Sequence, residues 1–321
     1  MEQILISKKD YINRSKSSSP IEGVLFVDYI KELITKRRRR KNPNYGRNHF
    51  TLIMHINTFS KLHHAILYTN SINEEFLEDF LDYLLDLNLR QDYIKSLIDS
   101  IKGIVKHAST HNYAIDSSYS ELEIDSESPY STYLTNNDIV RLYYFKGLTK
   151  KQERIKDLFV VGCLTAMRYS DYSTLSKHNF HDDVIIKKTK KTGITVTVPI
   201  HQYVAEIYIK YNYDLVFNLS LQHFNRYVKQ ICRKVGFNDL KTYSYTKGRT
   251  PTVETKEQWE LISSHTARRS AATNMLMSGM EPWQIMAITG HTTEKSFFRY
   301  IKVTRDNIAK RIAGNNYYLN S

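Results

Sequence analysis

Between Ser264 and Tyr300 the chain gathers two histidines, two adjacent arginines and a tyrosine, an inventory able to hold a phosphate diester and attack it. His265 and Arg268 are three apart in Ser264-His-Thr-Ala-Arg-Arg-Ser270, so on a helix they share a face. Ser263 or Ser264 can cap that helix, which predicts both residues in its first turn. Free N–H groups, the positive dipole end and an arginine fork then make a site for a phosphate oxygen. An isolated H-x-x-R is more often an arginine paired with a carboxylate and a histidine satisfied in a core. Gly290-His291 follows a short helix in which Trp283, Ile285, Met286 and Ile288 read as core, and Tyr300 comes nine residues later. A tyrosine nucleophile needs surroundings that stabilise a phenolate, because its ordinary pKa is about 10. Most of the 24 tyrosines must simply pack as amphipathic aromatics. The run from Glu281 to Tyr300 fits a helix-turn-helix equally well, with Gly290 in the turn.

Two further pieces lie upstream. Arg168 stands in Leu164-Thr-Ala-Met-Arg-Tyr-Ser-Asp171, just past a long apolar helix. The β-branched runs Val184–Ile186 and Thr195–Val198 are joined by Lys187-Lys-Thr-Lys-Lys-Thr-Gly193, which predicts a hairpin with Gly193 near its turn and Pro199 ending it. Lys187, Lys188, Lys190 and Lys191 make a basic finger; any one hairpin lysine is by default solvated.

The 321 residues suit two domains. With 41% hydrophobic and 12% aromatic residues the chain can fill cores, and 11 Gly and 6 Pro favour helices over a many-stranded β fold. Cys163 and Cys232 form no C-x-x-C pair, so neither a disulfide framework nor a zinc knuckle is expected, and the cytoplasm is the expected compartment. Neither a signal peptide nor a membrane-spanning run is visible. The net charge of +13 is unevenly placed. Residues 1–134 hold 17 Lys+Arg against 18 Asp+Glu, a balance of −1, and residues 135–321 hold 29 against 15, a balance of +14. Such asymmetry points to a polyanion, against the alternative of a solubilising surface.

Residues 1–22 read as a polar lead-in. Four amphipathic helices follow over 23–115, the first ending in Lys36, Arg37, Arg38, Arg39, Arg40 and Lys41. Six cations exceed what a helix C-terminus needs, so the run is read as a phosphate clamp. The acidic, Ser-rich stretch 116–134 is taken as the linker. From 135 to 321 the pattern predicts helices near 139–143, 151–164, 201–211, 221–235, 265–278 and 282–288, and one carrying Phe297 to Ala313.

In order and with suitable spacing, Arg168, the lysine hairpin ending in Val-Pro, His265-x-x-Arg268, Gly290-His291 and Tyr300 resemble the tyrosine recombinase (phage integrase) family. The likeness is greatest to integrases of mobile elements in Bacteroides-type bacteria, which carry Ser-His-Thr-Ala-Arg-Arg-Ser and Thr-Gly-His-Thr-x-Glu-Lys-Ser. It covers the second half motif by motif, and the first half as a four-helix bundle. The implied fold is mainly α: an N-terminal SAM-like core-binding domain, then an α-rich catalytic domain with a small antiparallel sheet. The family's two catalytic arginines fall on Arg168 and Arg268, its histidines on His265 and His291, and its nucleophile on Tyr300. Its hairpin lysine precedes the strand-ending proline by about eight positions, which selects Lys191; a slip in register gives Lys188 or Lys190, otherwise contacts to DNA. Ala166-Met167 stands where relatives often have Gly-Leu.

The resemblance implies cutting and rejoining of duplex DNA through a 3′-phosphotyrosyl link, without cofactor or metal. No Asp/Glu cluster suited to two metal ions is evident in the sequence. Fixed cations at Arg168 and Arg268 would stabilise the phosphoryl group, Lys191 would protonate the leaving oxygen, His265 would assist proton transfer from Tyr300, and His291 would donate to the phosphate. It further implies two domains closing on DNA as a C-shaped clamp, a homotetramer on two sites from a monomer free in solution, accessory DNA-bending or directionality proteins, and a place at the nucleoid. Residues 1–22 look too short for a separate arm-binding domain. The competing readings are a non-catalytic helix-turn-helix DNA-binding protein and a nick-and-reseal enzyme of the type IB topoisomerase kind.

Overall fold

The computed structural model describes residues 23–40, 45–125, 127, 130–215 and 219–302, together with positions 309 and 313. The lead-in 1–22 and Lys41 of the basic run lie outside the described residues. The chain divides into two units, one of residues up to Pro129 with Ser244–Val253, the other of Tyr130–Tyr243 with the residues from Glu254 onward.

The first unit is built on α1 (Phe26–Arg40), α2 (Arg47–Leu62), α3 (Glu74–Asp86) and α4 (Gln91–Ser109). Apolar residues three and four apart put one stripe of each helix inside: Phe26, Ile30 and Leu33; Leu52, Ile56 and Phe59; Phe76, Phe80 and Leu84; Ile94, Ile98 and Ile101. The Asn73 side chain accepts the Phe76 amide at 2.9 Å and starts α3, and Glu74 and Glu75 complement its positive end. Beyond α4, Leu122 and Ile124 pack against this core, and Lys95 Nζ donates to the Ile124 carbonyl at 2.8 Å.

The second unit has α6 (Lys150–Thr165) in its core, flanked by α5 (Asn136–Tyr144), α8 (Gln202–Lys210), α9 (Leu221–Val235) and α11 (Ser264–Met277). Gly162 lets α11 come close, since a Cβ there would lie 3.2 Å from Ala267 Cβ and 2.7 Å from the Tyr172 ring. Strands β1 (Phe180–His181), β2 (Val184–Lys188) and β3 (Thr195–Pro199) form an antiparallel sheet in which Val184 pairs with Pro199 and Lys188 with Thr195. The hairpin expected there is present, with Lys187 and Lys188 inside its first strand.

Four sequence expectations need correction. A second hairpin, β4 (Leu240–Lys247) and β5 (Thr250–Glu257), occupies a stretch for which no element was expected. Trp283 is 69% exposed, because in the eight-residue α12 (Pro282–Thr289) the buried positions are Ile285 and Thr289. The helix expected from Phe297 to Ala313 is interrupted: α13 (Glu294–Phe298) ends before Tyr300, whose amide turns back to Phe297 O at 2.8 Å. Beyond Lys302 only positions 309 and 313, both helical, are described. With five residues, α13 is also too short to serve as the reading helix of a helix-turn-helix.

Candidate active site

Helix α11 carries two of the candidate residues at different depths. The Ser263 amide donates to Thr266 Oγ1 at 3.0 Å, and the Ser264 amide to Asn225 Oδ1 on α9 at 2.8 Å, so side chains fix where the helix begins. His265 lies in the first turn and is exposed. Arg268, expected in the same turn, falls in the second and is 1% exposed.

A buried guanidinium must spend its donors on protein. Arg268 Nη1 donates to Ala166 O at 2.8 Å, and Nη2 donates to Thr289 O at 2.8 Å and to His291 Nε2 at 3.0 Å, while Nε is buried without a partner. Ala166 ends α6 in a left-handed conformation at φ 55°, and its carbonyl receives this bond. Arg168, two residues on, precedes α7 (Tyr169–Tyr172), and its Nη1 is also buried without a partner. Burial, and then the charge of Arg168, lowers the pKa of Arg268 to about 10. The nearly inaccessible Asp171 acts in the opposite direction; its Oδ1 accepts the Lys190 amide at 2.8 Å and its Oδ2 has no partner. Asp171 thereby fastens the lysine loop to the segment that carries Arg168.

His291 follows Gly290, which caps α12 at φ 68°. An arginine only donates, so His291 Nε2 must be the acceptor of the Arg268 bond, and its proton sits on Nδ1, 2.8 Å from Thr289 Oγ1. Burial, then Arg268 and Arg168, lowers the pKa of His291 to about 4, in keeping with a neutral ring. In this arrangement the ring has no proton free for a phosphate, so the donor role expected of it requires it to leave Arg268 or gain a proton.

Tyr300 stands in the turn after α13, half-buried, with its ring centroid 5.0 Å from that of His291 and 5.2 Å from Arg268 Cζ. His265 keeps an exposed face, but the protein around its ring displaces enough water that desolvation, and then the charges of Arg269, Arg268, Lys191 and Arg168, lower its pKa. Lys191 is exposed in the loop between β2 and β3 and is the hairpin lysine whose charge reaches His265. Lys188 and Lys190 are also exposed. Arg168, Arg268, His265, His291, Tyr300 and Lys191 thus share one electrostatic neighbourhood. Sequence reasoning counted Arg269 in the basic inventory without a role and passed over Asp171 and Thr289 as members of the site. Asp171 was visible three residues after Arg168, and Thr289 as the first residue of the Thr-Gly-His run, though neither spacing says what the side chain bonds.

The basic run of the first unit is partly engaged. Arg38 Nε donates to Tyr45 O at 2.8 Å and its guanidinium lies over Phe50, Arg37 lies over Tyr45, and Lys36 pairs with Glu32. Lys36, Arg37 and Arg39 are exposed. Among the described residues no three His, Cys, Asp or Glu side chains gather as a metal-ligand set, and no helix is long and apolar enough to cross a membrane.

Residues 132–306 match the phage integrase family, and residues 25–124 match the phage integrase SAM-like domain. The chain belongs to the phage integrase family. It is therefore a tyrosine site-specific recombinase by family, with the fold of that class. Comparison with curated proteins gives no match. Among solved structures, the Tn1549 transposon integrase in complex with a circular intermediate DNA superposes with a TM-score of 0.64 at 13% identity, over 90% of this chain and 98% of that one. XerH recombinase bound to its difH substrate gives 0.61 at 14%, over 90% and 84%. A lambda integrase tetramer bound to a Holliday junction gives 0.60 at 12%, over 91% and 83%. At these identities the likeness is one of fold.

Proposed function

We propose that this integrase cuts and rejoins duplex DNA at specific sites through Tyr300, moving a mobile element in or out of a chromosome or inverting a segment. One observation carries the reading. Two guanidiniums share a largely buried site with unpartnered N–H groups on each, and a tyrosine ring lies against one of them. Spare guanidinium donors are what the oxygens of a phosphate diester would satisfy. Tyr300 Oη attacks phosphorus, the P–O5′ bond breaks, and a 3′-phosphotyrosyl link conserves the bond for religation. The tyrosine proton passes to His265, whose lowered pKa keeps it neutral and able to accept. The leaving O5′ takes a proton from Lys191, the hairpin lysine eight positions before the strand-ending Pro199.

In this reading residues 23–115 bind DNA, 116–134 connect, and 135–321 carry the chemistry. Exposed Lys36, Arg37 and Arg39 contact phosphates, with Arg38, Arg40 and Lys41 completing the run. The protein assembles as a tetramer on two DNA sites, as the lambda integrase structure illustrates for that enzyme, with accessory proteins setting direction. The motif Ser264–Ser270 and the run Thr289-Gly-His-Thr-Thr-Glu-Lys-Ser296 favour a Bacteroides-type mobile element as its source.

A nicked suicide substrate bearing the element's own ends tests the proposal. Wild-type protein is expected to leave a covalent protein–DNA adduct, and Tyr300→Phe none. An adduct with Tyr300→Phe moves the nucleophile, and none with either form on any cognate site favours a binding protein. Exchange between two sites, rather than relaxation of one supercoiled site, separates a recombinase from a nick-and-reseal enzyme.

A further inference from the structure

The backbone around Tyr300 is bonded to a residue outside the set discussed so far. A helix continuing past Phe298 would bond the Lys302 amide to the Phe298 carbonyl. Instead the Ile301 amide takes that carbonyl at 3.3 Å, and the Lys302 amide donates to Thr273 Oγ1 at 3.2 Å. The same hydroxyl also makes a long, weak hydrogen bond to the Tyr300 carbonyl at 3.5 Å, so the Lys302 amide is the stronger of its two contacts. Thr273 is fully buried, and both its proton and a lone pair are used across 27 and 29 residues of chain. Buried helical hydroxyls ordinarily turn back onto their own helix, as Ser270 does to Thr266 O and Thr165 to Val161 O, both at 2.8 Å. Thr273 does not.

We infer that Thr273 is a positioning residue for the nucleophile: its hydroxyl straddles Tyr300 and ties that segment to α11. The inference rests on reading Tyr300 as the nucleophile. Its physical content is that α11 then carries both reference points of the reaction. Arg268 would hold the phosphate, and Thr273, five residues on, holds the backbone of the attacking residue. In-line attack tolerates errors of a fraction of an ångström, so both ends of the reaction gain from one rigid support. Without the tether, the backbone of the turn at 299–302 keeps the Tyr300 and Ile301 amide bonds of 2.8 and 3.3 Å, and the two side chains keep their packing on Ala272, Ile285 and Phe297.

Thr273→Val keeps shape and removes the hydroxyl; Thr273→Ser keeps the hydroxyl. On the nicked substrate at saturating DNA, Thr273→Val is expected to form adduct about tenfold more slowly, the effect of losing a net hydrogen bond of common strength, with DNA half-saturation unchanged. Thr273→Ser should recover most of the rate. In hydrogen exchange, the Lys302 amide should be protected in wild type and exposed in Thr273→Val. Three results overturn the inference: adduct formation by Thr273→Val at the wild-type rate, a loss that follows DNA affinity or melting temperature rather than the chemical step, or an unprotected Lys302 amide in wild-type protein. Tyr300→Phe in the same assay keeps the two questions apart. An adduct from that variant would refute the nucleophile assignment, while the exchange readout reports the tether independently.

Discussion

Arg268 donates through Nη2 to His291 Nε2 at 3.0 Å, so a guanidinium and a histidine of the same site hold each other. The bond fixes the imidazole as a neutral acceptor and occupies part of an arginine fork that the chemistry would need. An incoming oxyanion would satisfy that fork directly and release the ring, and its negative charge would raise the ring's pKa. DNA binding should therefore take up protons below neutral pH. Calorimetry in two buffers of different ionisation enthalpy at pH 6 measures that uptake, and His291→Asn should reduce it.

Burial of His291, and then the charges of Arg268 and Arg168, also make stability pH-dependent. The pKa of His291 in the fold, about 4, is below its ordinary value of 6.5, so on acidification the unfolded chain is protonated first. The stability associated with the neutral ring is complete above about pH 6.5 and is lost as pH falls from there towards 4. Urea midpoints at pH 7.5 and pH 5 should differ less in His291→Asn than in wild type. Some difference should remain, because the pKa of His265 is lowered too.

Lys191→Ala should slow cleavage by about 10²–10⁴ if it supplies the leaving-group proton. A 5′-phosphorothiolate, whose sulfur leaves without a proton, should restore the rate. Rescue of Lys188→Ala or Lys190→Ala in place of Lys191→Ala would shift the role along the hairpin.

Ala166 adopts φ 55° while fully buried, a conformation that costs an L-residue with a Cβ roughly 1–2 kcal/mol. Ala166→Gly should stabilise the protein by up to about 1 kcal/mol, after allowance for glycine's greater freedom when unfolded, and denaturant titration reads the sign directly.

Lys156 is 1% exposed on α6. Its ammonium donates to Tyr143 O at 2.9 Å, Phe145 O at 3.2 Å and Glu153 Oε1 at 2.9 Å, beside the equally buried Asp157. Lys156→Met should destabilise the protein by about 3 kcal/mol, since it leaves carboxylates short of a cation. Lys210, 2.7 Å from Asp157 Oδ2, prevents a larger loss. Chemical denaturation measures it, and a loss under 1 kcal/mol would show that the network is dispensable.

The helices were legible because apolar residues recur at helical spacing. In α9 they are Phe224, Val228, Ile231, Cys232 and Val235, all buried. The first hairpin was legible because Ile185, Val196 and Val198 alternate inward. The second was not, because Leu240-Lys-Thr-Tyr-Ser-Tyr-Thr-Lys247 has no aliphatic face and none of its residues is fully buried. Its signal was a run of Thr and Tyr around Gly248, which alone is weak. In the site, residue types were readable and depth was not: nothing local says that Arg268 is buried while His265 is open. The end of α13 could not be read either, because a hydroxyl 29 residues away intercepts the Lys302 amide.

The second hairpin also bears on how the protein can be cut into pieces. Its tip, Ser244–Val253, belongs to the N-terminal unit. There the Gly248 amide reaches Leu89 O at 2.7 Å, Thr246 is bound by Glu127, and Arg249 pairs with Asp82 at 2.6 Å and with Asp86. That unit is discontinuous in sequence: part of it is translated more than a hundred residues after the rest. A fragment ended near residue 129 leaves behind Asp82, Asp86 and Glu127 without their partners, and the synthetic peptide 240–257 is the piece that would complement it.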